Sequence, residues 1–345
     1  MPVEAKAFTG RPEEWDGFVQ DHPEATFFHQ HGWLQLIRDV YGGTPHYLAA
    51  RDQGQIAGIL PLLRRRLMGC GPILVSVPYA DEGGLCATTA EGERALLTAA
   101  DALGRETGAN YVELRQLDRS PQDDLPSDNT RVILRMPLPP SVEELQRSLS
   151  SNMRKKVRRA GRDGLSAHDG GREGVRPFYH VYVRNMRDLG SPMHSLRFFE
   201  ALFDRFPEAV LTVLIKRGEA VAGAAVAVQF RDVLTVLCAH SLRSYHKLFP
   251  NNLLYWRLFE VAIERGCTVA DFGRSPRGSG IYEFKKLWGM EDHQLCCSIL
   301  PLRRTPKLGE RRDSVAYRIF SRIWQGVPIP VARVIGPAVF ARLPL

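Results

Sequence analysis

Apolar residues along the chain alternate between a spacing of two and a spacing near 3.6, and the changes of period outline the elements. Pro12–Val19 and His31–Tyr41 are predicted helices, with Phe27, Phe28, Trp33, Leu36 and Ile37 supplying an apolar face. His46–Arg51 and Gln55–Arg66 form a hairpin across Asp52-Gln53-Gly54. Gly71–Pro78 is an apolar strand. A helix over Glu91–Thr107, stopped by Gly108, leads to the strand Tyr111–Leu117, and a polar stretch leads on to Arg131–Leu138. Pro137, Pro139 and Pro140 then mark a boundary.

Beyond the prolines the pattern starts again. Ser141 caps a helix reaching Leu149, with Glu144 three residues on. Ser150–Gly164 continues as a helix with basic residues on most faces, and Pro177–Leu189 and Leu196–Phe206 are further helices. Strands follow over Val210–Lys216, Ala220–Phe230 and Val233–Ser241. A helix over Asn252–Arg265 ends at Gly266, and a short strand, Thr268–Phe272, runs into a loop holding Gly273, Gly278 and Gly280. A helical turn with Tyr282, Phe284, Lys285 and Trp288 comes next, then the strand Gln294–Leu302. Strand, glycine loop and basic turn in that order suit the holding of an anionic or polar group. The sequence hairpin, strand, helix, strand occurs twice at an offset of about 160 residues, which implies two copies of one mixed α/β unit.

The length fits two domains, expected over residues 1–140 and 141–302, with a basic tail over 303–345. No apolar run reaches the roughly 18 residues of a membrane span. The start MPVEAKAFTG has no basic stretch followed by an apolar core, so a cytoplasmic location is expected. The six cysteines lie in apolar text without ligand spacing, and no metal site is expected. Charge changes the picture more. Arg303–Leu345 holds nine Lys/Arg against two acids, and Ser150–Leu165 holds six against one. These two segments exceed the whole chain's formal +8, so the rest is mildly acidic and the basicity is placed. Placed basicity points to an anionic partner. Val315–Trp324 carries Ile319, Phe320 and Ile323 on one face and Arg318 and Arg322 on the other. With the apolar, proline-punctuated residues after it, this helix either lies on an anionic membrane, peripheral to its inner face, or packs across the second domain.

Three stretches together resemble the FemAB family of aminoacyl- and acyltransferases: Ser151-Asn-Met-Arg-Lys-Lys-Val-Arg-Arg-Ala160 with Gly164-Leu165, Asp271-Phe-Gly-Arg-Ser275, and Tyr282-Glu-Phe-Lys285 with Trp288-Gly289. Asn185–Pro192 and the tail around Pro328–Pro337 are similar to a narrower group, the FemAB-like proteins associated with exosortase/PEP-CTERM loci. The resemblance implies two tandem GNAT-like domains, each a mixed sheet flanked by helices. It implies transfer of an aminoacyl or acyl group to an amine of a cell-envelope or exopolysaccharide-related acceptor. The donor is then aminoacyl-tRNA, acyl-CoA or an acyl carrier protein, and no cofactor is tightly bound. GNAT enzymes that use acetyl-CoA grip its pyrophosphate with a glycine-rich loop before a helix. The matching text, Arg243–Asn252, has no glycine, although Asn251 or Asn252 is placed to cap the helix that follows.

Acyl transfer to an amine needs a neutral amine near the carbonyl, donors for the oxyanion, a proton acceptor and a grip on the donor's anionic handle. By resemblance to the aromatic-x-Phe-Lys motif, Lys285 stabilises negative charge. Tyr282 either orients substrate or packs; Phe284 and Trp288 are expected to pack and fix the turn that presents Lys285, with Phe284 also a candidate at the substrate. Asp271, at a strand end, is either a base or the partner of Arg274 and the glycine loop. Arg274, Asn152 and Arg154 are expected at the substrate, and His240 and Tyr245 flank the donor loop. Trp33 is expected in the core or a pocket wall. Ser275 and Cys238 have no His/Asp relay, so no covalent nucleophile is proposed. The competing reading is a noncatalytic RNA- or membrane-binding protein that uses the two basic segments.

Overall fold

The computed structural model describes residues 3–122, 124–305 and 315–343. In chain order the elements are β1 (Glu4–Ala7), α1 (Pro12–Asp21), α2 (His31–Tyr41), β2 (Thr44–Asp52), β3 (Gln55–Leu67), β4 (Gly71–Ser76), β5 (Cys86–Ala87), α3 (Ala90–Glu106), β6 (Tyr111–Leu117), β7 (Ser127–Asp128) and β8 (Arg131–Pro137). They continue with α4 (Val142–Ser148), α5 (Ser151–Arg162), β9 (Ser166–Gly170), α6 (Val175–Asp188), α7 (Leu196–Arg205), β10 (Val210–Arg217), β11 (Ala220–Phe230), β12 (Val233–Ser241), α8 (Pro250–Glu264), β13 (Val269–Pro276), α9 (Gly280–Lys286), β14 (Glu291–Pro301), α10 (Val315–Gln325) and α11 (Ile329–Phe340). The chain divides into two compact units. Unit 1 comprises Met1–Val132, His293–Gly309 and Ala341–Leu345, and unit 2 comprises Ile133–Asp292 and Glu310–Phe340.

In unit 1 the strand order is β1-β2-β3-β4-β6-β14. The β2–β3 hairpin and the β3–β4 pair are antiparallel, whereas β4 and β6 run parallel through Leu74↔Val112 and Val75↔Glu113. A parallel pair needs a crossover, and α3 provides it. Thr89 starts α3 by accepting the Gly92 N–H at 3.1 Å. The apolar stripe of α3, Leu96, Leu97 and Ala100, is buried with Leu48, Leu60, Leu62, Leu74, Val112 and Leu114 of the sheet.

Unit 2 repeats the plan with the order β8-β13-β12-β11-β10-β9. The β10–β11–β12 meander is antiparallel, and β12 and β13 run parallel, joined through α8. Gly108 after α3 and Gly266 after α8 sit at φ +69° and +73°, a left-handed turn that side chains with a Cβ resist. The internal repeat expected from the sequence is therefore the fold itself: two mixed sheets of one topology, each with its crossover helix.

Several expectations change. The strand expected over Thr268–Phe272 runs on to Pro276, because Gly273 at φ +67° bends the chain without ending it. The apolar tail after Val327 is the helix α11. Pro330 falls in its first turn, where no intrahelical N–H is required, although Pro337 lies in its interior. The short strands β1 and β9 were not foreseen: their mixed polar and apolar residues give no period-two signal. Among the described residues no helix is long and apolar enough to cross a membrane, and no His/Cys/Asp/Glu group has a metal-binding arrangement.

Candidate active site

The candidate site residues gather in unit 2, where its parallel strands part. β12 and β13 pair over Val233↔Val269, Leu234↔Ala270 and Thr235↔Asp271, yet β12 continues to Ser241 and β13 to Pro276. A register shift in the β11–β12 ladder, between Val226↔Cys238 and Ala227↔Val236, leaves Leu237 as an extra residue. Such a bulge bends its strand, here just beyond the last β12–β13 pair.

On the β13 side, Asp271 is buried and both its oxygens are engaged. Oδ2 accepts from Arg135 Nε at 2.8 Å, and Oδ1 accepts the Gly273 N–H at 2.7 Å. The sequence suggested Arg274 as its partner. Asp271 forms an ion pair with Arg135, 136 positions away in sequence, which β8 carries next to β13. Lys285 is also buried, at 4% exposure. Its ammonium donates to Phe272 O at 2.5 Å, Gly273 O at 3.1 Å and Ser275 Oγ at 3.0 Å. A carboxylate therefore holds the Gly273 N–H while an ammonium holds its carbonyl, which fixes the left-handed residue from both sides. Arg274 is half-buried on the same strand.

Aromatic packing presents Lys285. Ser279 caps α9 by accepting the Tyr282 N–H at 3.3 Å. Phe284 stands edge-on to Tyr255 at 5.0 Å, and Trp288 packs against Tyr255 and Phe259 of α8 at 6.0 and 5.3 Å. Phe272 closes the cluster at 4.5 Å from Tyr255. Phe284 thus fixes the turn that carries the lysine. Tyr282 faces elsewhere: its hydroxyl donates to Asp292 Oδ2 at 2.9 Å, and Lys286 and Arg277 pair with the same carboxylate. That hydrogen bond to an anion raises the Tyr282 pKa and keeps the phenol protonated.

On the β12 side, His240 packs at a tilt against Tyr182 of α6, 5.0 Å between rings. Its Nδ1 meets Asn185 Oδ1 at 2.8 Å, and Asn185 Nδ2 donates to Ser241 O at 3.0 Å. The second bond orients the amide, so Oδ1 must accept and His240 must carry its proton on Nδ1. Nε2 then holds the lone pair. Burial pushes the His240 pKa down to about 4, so the ring is a neutral acceptor at neutral pH. Asn185 is a site residue that chemistry-bearing motifs alone did not reveal, because an asparagine in a helix has no distinctive spacing.

The third part is the turn between β12 and α8. Arg243–Leu248 forms a 3-10 helix, and Phe249 takes a left-handed φ of +59° before Pro250 opens α8. The expected asparagine cap is absent. Phe249 is the cap residue without a side-chain bond, and Asn252 is buried with Nδ2 on Met153 Sδ at 3.8 Å. Helix α5 packs here through Met153 and Ala160, and Arg159 lies over the Phe249 ring at 5.3 Å. Asn152 is exposed and Arg154 half-buried at the start of α5, and Tyr245 is half-buried in the turn. Trp33 belongs to unit 1, where it is fully buried, donates to Pro78 O at 3.2 Å and packs on Phe28 at 4.9 Å; it is core.

His194, also in unit 2, is buried, whereas His240 is half-buried. His194 stacks on Phe198 at 4.2 Å, and burial pushes its pKa down to about 3. Both histidines sit below the ordinary value near 6.5, so as pH falls the unfolded chain takes up protons that the folded chain refuses. Stability is full above about pH 6.5 and declines towards pH 4. Urea titrations at pH 7 and pH 4.5 should show a loss of about 2–3 kcal/mol per histidine, and His194→Phe should flatten the slope by one histidine's share.

Comparison with known proteins agrees with this geometry. Residues 147–286 match the family model of an acetyltransferase (GNAT) domain, a span reaching from the end of α4 through α9. This stretch of unit 2 is thus similar to a GNAT domain, and the protein is an acyltransferase. Among solved structures, the fold is similar to that of FemX, with a TM-score of 0.66 at 16% identity over 86% of this chain and 97% of that one. It is also similar to a tandem GNAT protein from the clavulanic acid biosynthesis pathway, with a TM-score of 0.53 at 10% identity over 88% of this chain and 100% of the other. L-PGS from Bacillus licheniformis gives 0.53 at 13% identity over 88% and 96%. At these identities the likeness defines a fold, two GNAT-like domains in tandem. No curated protein matches the chain in sequence.

Proposed function

We propose that the protein is a FemAB-type transferase that moves an aminoacyl group from aminoacyl-tRNA to an amine of a cell-envelope or exopolysaccharide-related acceptor. The observation that carries the choice of donor is the β12–α8 turn. A pyrophosphate cradle needs free backbone N–H groups. Here Pro250 has none, the Asn252 and Leu253 N–H groups bond Phe249 O, and those of Tyr245 and Phe249 bond Leu242 O and His246 O. The cations stand beside the turn, on α5. Lys155 and Arg158 are exposed, Lys156 is half-buried, and none of the three has a carboxylate partner among the described residues. Side-chain cations spread along a helix suit a polyphosphate backbone better than a single pyrophosphate. FemX and L-PGS among the structural neighbours, and the resemblance of Asn185–Pro192 to exosortase-associated proteins, support an envelope or exopolysaccharide acceptor.

In this reading the acceptor amine enters where β12 and β13 part, and His240 Nε2 accepts its hydrogen bond. The amine attacks the ester carbonyl, the C–N bond forms and the ester C–O bond breaks. The proton lost by nitrogen leaves on the ribose hydroxyl. The fixed ammonium of Lys285 stabilises the negative charge that develops on the carbonyl oxygen. An acyl-CoA or acyl-carrier-protein donor is the second reading, favoured by the match to an acetyltransferase domain. The two separate by salt dependence. For a tRNA donor, replacing Lys155, Lys156 and Arg158 by Gln should reduce the slope of log affinity against log salt by about two to three. Amide formation from acyl-CoA at equal rate in wild type and triple variant, with none from charged tRNA, would assign the thioester donor.

A further inference from the structure

The outer faces of the two C-terminal helices of unit 2 carry apolar side chains that no described residue covers. Helix α10 turns Phe320 and the buried Trp324 inward, their rings stacked at 5.5 Å. Ser321 and Gln325 tie it to the end of α6 through Leu189 O and Asp188 O. Its other side exposes Arg318, Ile319, Arg322 and Ile323, the two isoleucines at 55% and 67%. Helix α11 buries Ala332, Gly336 and Phe340 at a spacing of four, and Gly336 lies where an added Cβ would come within 3.3 Å of Met193. Its outward residues are Val331, Val334 and Ile335, at 47%, 76% and 41% exposure. Leu189, beside α10, is exposed as well, so six of the nine exposed large apolar residues among the described ones gather here.

Charge says what covers this face. Residues 315–340 contain three arginines and no acid. Arg333, itself exposed, lies over the Tyr179 ring at 5.6 Å, so Val331, Val334 and Ile335 share α11 with a single cation, while Arg318 and Arg322 alternate with the isoleucines of α10. Arginine stems beside isoleucines can lie along an apolar phase while their heads reach phosphate. Neither helix is long enough to cross a bilayer. Two short helices with an apolar face and a purely basic rim are suited to lie in a headgroup layer.

We propose that α10 and α11 form a docking surface for an anionic lipid bilayer, with Ile319, Ile323, Val331 and Val334 entering the interface and Arg318 and Arg322 meeting lipid phosphates. This surface stands independently of the donor and acceptor assigned above. The test is co-sedimentation of the full chain with phosphatidylcholine vesicles that contain either no phosphatidylglycerol or about 30% of it. Wild type should pellet with the anionic vesicles and stay in solution with the neutral ones. Arg318→Gln with Arg322→Gln should weaken partition by about 30-fold, and Ile323→Asp with Val334→Asp by at least about tenfold. All four positions are exposed, so unchanged thermal melts would confirm folded variants. Equal sedimentation with and without anionic vesicles would overturn the proposal. So would a dimer, seen by light scattering without lipid, that Ile323→Asp with Val334→Asp dissociates, because the face would then belong to a second copy.

Discussion

Lys285→Met should lower the rate of amide formation by up to about 10², less than the loss of a direct oxyanion donor, because the three N–H groups of Lys285 hold Phe272 O, Gly273 O and Ser275 Oγ and only its charge reaches the reacting centre. It should also lower stability. The Met side chain fills the volume but leaves the Phe272 and Gly273 carbonyls and the Ser275 hydroxyl without their common donor. A buried group left without its partner costs about 1–3 kcal/mol, and the loss here falls near 2–4 kcal/mol because the three acceptors share one cation. Lys285→Arg should not rescue activity. Three acceptors converge on one tetrahedral nitrogen, and a planar guanidinium cannot place its donors that way. Ser275→Ala removes one acceptor and keeps the charge, so it should cost little activity. Single-turnover transfer rates beside thermal melts check all three. Full transfer by a folded Lys285→Met protein would remove this residue from the chemistry.

Asp271→Ala should be strongly destabilising. It leaves the Arg135 guanidinium without its anion and the Gly273 N–H without its acceptor in a part of the fold where Asp271 itself is only 3% exposed. Removing one member of a buried pair costs about 3–5 kcal/mol, and because Arg135 keeps some access to water the lower end, about 3 kcal/mol, is expected. That corresponds to a fall in melting temperature of roughly 6–12 °C. The double variant Asp271→Leu/Arg135→Met should recover most of the loss, since two apolar side chains leave no stranded charge. A double variant no more stable than Asp271→Ala would show that the Gly273 contact, rather than the ion pair, dominates.

These two residues also mark where reading the sequence reaches its limit. Lys285 stood out because an aromatic-x-Phe-Lys pattern is local. Its three partners are local too, ten to thirteen positions upstream. Asp271 stood out by its place at a strand end, but its counter-ion was illegible: Arg135 reaches it only once β8 lies beside β13. The hairpins were legible because Asp52-Gln53-Gly54 and Arg217-Gly218-Glu219 separate apolar runs. The helices α3 and α8 were legible because Gly108 and Gly266 stop them. Gly273 misled the reading, since a glycine that bends a strand and one that ends it look alike in one dimension. Pro328 and Pro330 hid α11 for a related reason: a proline just before a helix or in its first turn removes no intrahelical hydrogen bond, so it opens the helix rather than ending it.

The position of β14 has a consequence for synthesis. This strand pairs with β6 from Leu295↔Leu117 to Pro301↔Tyr111, and so completes the sheet of unit 1 with residues from the far side of unit 2. During translation the edge of β6, Tyr111–Leu117, must wait for its partner until some 180 more residues have been joined, roughly 10–35 s at bacterial or slower elongation rates. Throughout that interval the nascent chain displays an open, largely apolar strand, the kind of edge that recruits other chains. A ribosome-tethered chain ending near Pro140 should therefore bind holdase chaperones, and one extended past Pro301 should release them.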